Sequence, residues 1–86
     1  EVMGFEYAAG DGIHLVLNTI IMPESLVVPE NCAIVFRSTN EDGEVVQMSF
    51  SGIQEVGRTG GMSIDDLVGQ EDIFLEADSM THWAKV

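Results

Sequence analysis

The sequence predicts a mainly β protein, a small antiparallel barrel or sandwich of SH3-like or OB-like type with one short helical turn near residues 63–69. Three observations lead there. Short runs of alternating apolar and polar residues recur along the chain. Glycine and Asp-Gly turn signals separate them. No apolar pattern of helical period lasts more than two turns.

The first run sets Met3, Phe5 and Tyr7 against Val2, Gly4 and Glu6, which reads as a strand. Gly10-Asp11-Gly12 supplies residues at ease with positive φ and so a tight turn. A longer strand is expected over residues 13–22. Ile13, Leu15 and Leu17 share one face, and His14, Val16 and Asn18 the other. Pro23 stops its pairing, because proline has no N–H to donate.

Residues 23–31 read as a loop holding a short extended stretch, Leu26-Val27-Val28, that Pro29 stops. A hairpin follows. Cys32, Ile34 and Phe36 alternate with Ala33, Val35 and Arg37, and Val46, Met48 and Phe50 alternate with Val45, Gln47 and Ser49. The connection, residues 39–43, is polar and ends in Asp-Gly. Residues 52–62 read as a glycine-rich link.

Ser63 then caps a helical turn, Asp65 and Asp66 favour its positive end, and Gly69 closes it. Residues 72–77 form a further strand, residues 78–81 turn the chain, and residues 82–86 pair back as the last strand. With 86 residues, one domain spanning 1–86 is expected, with a thin core.

Composition bounds the function more than any motif does. The formal net charge is −12, from fifteen acids against Arg37, Arg58 and Lys85. Three dispersed basic residues cannot neutralise a run of phosphates, so nucleic-acid partners are excluded and anionic membranes disfavoured. The longest apolar stretch, within residues 13–22, is interrupted by His14, Asn18 and Thr19 and is too short for a membrane helix. Cys32 is the only cysteine, so an internal disulfide and a CxxC pair are both excluded. That favours a cytoplasmic over a secreted setting. No signal peptide is visible, and the chain opens on Glu1 rather than Met, as a processed or trimmed chain would.

Several groups are candidates for chemistry. Asp65, Asp66, Glu71, Asp72, Glu76 and Asp78 lie between Arg58 and Lys85 with no base among them. They form a candidate acidic patch for a basic partner, weighed against a solvated face that keeps the protein soluble. Asn40 to Glu44 has the oxygen-rich look of a calcium loop but lacks its remaining ligand positions, and a turn is the better reading. His14 and His82 lack ligand spacing for zinc, and no metal site is expected. Cys32 sits among apolar neighbours, where a thiolate is disfavoured. The glycines at 57, 60 and 61 near Arg58 lack the lysine of a phosphate loop.

No catalytic residues and no cofactor are expected, because so small a domain has little volume for a cleft. The chain is 45% apolar with a mean hydropathy of +0.18, more than a thin core can hide. The function expected is therefore a non-enzymatic interaction or assembly module that binds a protein partner, as a homo-oligomer or on a larger protein. The alternative is an acidic inhibitor, a nucleic-acid mimic that blocks the basic site of a nucleic-acid-processing protein. In make-up the chain resembles small accessory proteins of phages and viruses.

Overall fold

The computed structural model describes residues 2–21, 26–61 and 69–86. The described chain is mainly β, an antiparallel sheet coiled into a half-barrel, and no helix occurs among the described residues. Six strands follow one another: β1 (Val2–Gly10), β2 (Gly12–Ile21), β3 (Cys32–Thr39), β4 (Val45–Gly61), β5 (Gly69–Ala77) and β6 (Ser79–Lys85).

The strand order is β1-β2-β5-β4-β3, with β6 also on β4. Strands β3, β4 and β5 form a meander, and β2 returns to lie beside β5. That connectivity is a Greek key, with β1 added to its outer side as a hairpin.

The half-barrel owes its curvature to a corner. Along β4, residues up to Ser51 pair with β6 and residues from Gln54 pair with β5. Gly52 stands between them at φ 66°, a conformation that suits glycine. A Cβ on Gly52 would collide with the Asp78 side chain. Asp78 is itself the break between β5 and β6, and its N–H donates to the Ser51 carbonyl at 2.9 Å. The neighbouring strands thus bend at the same rung. Beside it, the Ser51 and Ser79 hydroxyls meet at 2.7 Å.

The core fills the inside of this curve. Leu15, Leu17, Met48, Phe50, Ile53, Ile73 and Leu75 are buried, drawn from β2, β4 and β5. The alternation read along residues 13–18 holds, with Leu15 and Leu17 inside and His14, Val16 and Asn18 outside. Phe5 of β1 stacks on Phe36 of β3 with ring centroids 3.7 Å apart, and Phe36 sets its edge against Phe50. Those rings join the two ends of the sheet path, between which no strand pairing occurs among the described residues.

The 32–50 hairpin forms as read. The Asn40 side-chain oxygen accepts from the N–H groups of Asp42 and Glu44, and Gly43 takes φ 78°. Other expectations need correction. Met3 does not share the inward face of Phe5 and Tyr7; a register shift between Val2 and Gly4 takes it out of alternation, and it is 62% exposed. Residues 52–61 are not a link but the second half of β4, because β5 offers them a pairing edge as far as Gly61. Gly57 sits at a bulge in that pairing. At Gly60 the backbone of Gln70 comes too close for a Cβ. The helical turn at 63–69 falls outside the described residues, save that Gly69 opens β5. The chain does not reverse at 78–81: β6 runs on from β5 and pairs with β4 instead.

Candidate functional site

Strand alternation decides what the acidic patch can be. Asp65 and Asp66 lie outside the described residues. Glu71, Asp72 and Glu76 stand on β5, where neighbours in sequence point to opposite faces. Glu71 turns to the Arg58 side of the sheet, and its carboxylate receives Arg58 Nη1 at 2.8 Å. Asp72 turns the other way and accepts from Asn18 Nδ2 at 2.8 Å. Glu76 shares that outer face and lies 4.0 Å from His14 Nδ1. Asp78 sits apart at the corner. The described acids therefore divide between two faces and a bend.

Arg58 is held at both ends of its guanidinium. Besides Glu71, it reaches Glu55 through Nη2 at 2.6 Å. That hydrogen bond, with the charge of Arg58 behind it, pulls the Glu55 carboxyl below its ordinary value of 4.5 against the opposing effect of burial. The same bond, joined by the one to Glu71, pushes Arg58 further up, so it stays charged. Thr19, buried at the same end of the sheet, donates its hydroxyl proton to the Glu71 carbonyl at 2.9 Å. This cluster satisfies its own groups and holds the ends of β2, β4 and β5 together.

Shallow hollows flank the sheet among the described residues. One of about 260 Å³ is lined by Met3, Asn18, Thr19, Ile20, Gln70 and Asp72. Another, about 150 Å³, lies beside Glu6, Tyr7, Ala8, His14 and Val16. Among the described residues no three His, Cys, Asp or Glu side chains converge on a point where a cation could sit. Cys32 is half-buried on β3.

The residues that sequence reasoning passed over lie on the edges of the sheet. Among the described residues β1 pairs only with β2, and β3 only with β4. Each therefore leaves one row of backbone N–H and C=O groups without a strand partner. These are also strands with almost no acid: β1 carries only Glu6, and β3 carries none. In a chain of fifteen acids that scarcity was the available signal. Arg37, outward on β3, donates to Gln47 Oε1 at 3.1 Å and forms no ion pair among the described residues, whereas Arg58 and Lys85 both do.

Compared with known proteins, the chain matches no family model, no curated protein and no solved structure.

Proposed function

We propose that this protein is a non-enzymatic interaction and assembly module that self-associates or docks on a larger protein. What carries the reading is surface. Among the described residues seven large apolar side chains are buried in the core, while ten others stay exposed, from Val27 at 79% to Leu26 at 37%. Open strand edges supply the means, since unpaired N–H and C=O groups template the addition of another strand.

The scaffold we favour is OB-like rather than SH3-like, because a partly open Greek key is how an OB barrel is wound. Its partners are proteins. With Arg58 and Lys85 engaged by carboxylates, only Arg37 is left to meet a phosphate. The acidic-inhibitor reading draws on the charge of −12. The inward turn of Glu71 onto Arg58 and the bond from Asn18 to Asp72 weigh against one continuous charged face.

Light scattering over a concentration series tests the assembly reading. The mass expected is a multiple of 9.3 kDa that rises with concentration, or that of a complex with a co-purifying protein. A lone 9.3 kDa species at every concentration, with nothing bound, overturns it.

A further inference from the structure

We infer that copies of this chain join edge to edge, β1 of one against β3 of the next, with Glu6 of one copy paired to Arg37 of its neighbour. The inference rests on the assembly reading above and gives it a partner and a register. Self-association of a chain with net charge −12 is opposed by repulsion, so contact is favoured where acids are fewest. The two ends of the sheet path are such places, and their single charges have opposite sign. Glu6 and Arg37 both project from the outer face, since Phe5, Tyr7 and Phe36 turn inward to the aromatic cluster.

Register adds an independent constraint. The pairing of β1 is irregular only between Val2 and Gly4, and that of β3 only between Cys32 and Ile34. The regular stretches run from Gly4 to Gly10 and from Ile34 to Thr39. An antiparallel pairing that sets Glu6 opposite Arg37 lays residues 34–39 against residues 9–4, wholly within the regular stretch of β1. It also sets Tyr7 opposite Phe36 on the inner face and Ala8 opposite Val35 on the outer. Tyr7 and Val35 are 41% and 48% exposed in the single chain, so the contact covers apolar surface. Another open edge among the described residues, β6, suits this less well. Its pairing with β4 is irregular in mid-strand, and its cation Lys85 is already on Glu44. Because the two joined edges differ, a joined pair still has one β1 edge and one β3 edge free, and the contact propagates into a ring or a filament.

Sedimentation velocity on the whole chain, in wild-type form and as Arg37→Glu, Glu6→Arg and the double exchange, tests the inference. Each single reversal is expected to weaken association about tenfold to a hundredfold, and the double exchange to restore it. Wild-type oligomers that none of the three alters overturn the β1–β3 contact while leaving assembly standing. A wild-type chain that stays monomeric overturns the β1–β3 contact, and one that also carries no bound protein overturns the assembly reading itself. A second readout does not depend on how the charge variants fold. Ala8→Cys and Val35→Cys chains, each with Cys32→Ser, are mixed and oxidised. A disulfide-linked pair of the two different chains is expected, and its absence from an oligomeric mixture overturns the register.

Discussion

Arg58 serves two carboxylates at once, and they differ in what they do. Glu71 is largely covered and ties β4 to β5, while Glu55 lies three residues back on the same strand and nearer to solvent. Because Glu55 titrates lower in the folded chain than its ordinary 4.5, it stays ionised where the unfolded chain has already taken up a proton. Its stabilising effect is complete above that ordinary value and drains away as pH falls through the lower, folded one. Thermal unfolding of wild type and Glu55→Gln should therefore differ by a small margin at neutral pH, small because solvent screens an exposed pair. The curves should merge as the medium is acidified below 4.5. A gap that persists in acid would mean that Glu55 contributes something other than charge. In the sequence Arg58 stands among glycines and Glu71 in the acidic run, with nothing to join them to each other or to Glu55. Only the continuation of β4 through Arg58 brings Glu71 across from it.

The corner at Gly52 is the element on which the half-barrel turns. A Gly52→Ala substitution forces a side chain into positive φ and drives its methyl group against Asp78. The cost expected is about 2–3 kcal/mol of folding stability, seen as a lower urea midpoint. A loss below about 0.5 kcal/mol, the range of an ordinary surface change, would show that the bend is set elsewhere. The hairpin from Cys32 to Phe50 was readable because its information is local: alternation on both arms and Asp-Gly between them. The second half of β4 was not. Glycines at 57, 60 and 61 look like a loop in one dimension, whereas within a sheet a glycine marks a bulge or a close backbone approach. Gly57 and Gly60 are one of each.

At the scale of the molecule, topology was the least legible feature. The Greek key depends on β2 finding β5, and the bond between Asn18 and Asp72 spans 54 residues of sequence. No local pattern encodes which of several similar strands will be the neighbour. Excess apolar composition, by contrast, was legible at once and corresponds to the exposed side chains seen in three dimensions. Charge at this scale leads to a further expectation. Copies bearing −12 each repel one another, and added salt screens that repulsion. If copies associate as proposed, raising ionic strength from low to physiological should increase the oligomer fraction in sedimentation, even though it also screens the proposed Glu6–Arg37 attraction. Dissociation on adding salt would instead mean that attraction between charges holds the copies together.

Because Gly52 and Asp78 crease their two strands along one line, the halves of the sheet behave as two boards sharing a spine. The rings of Phe5 and Phe36 act as a clasp, and Phe36 rests its edge against Phe50, two residues from the spine. A turn at the crease is passed through Phe50 to the clasp. The glycine and aspartate at the fold line thereby govern the gap between β1 and β3.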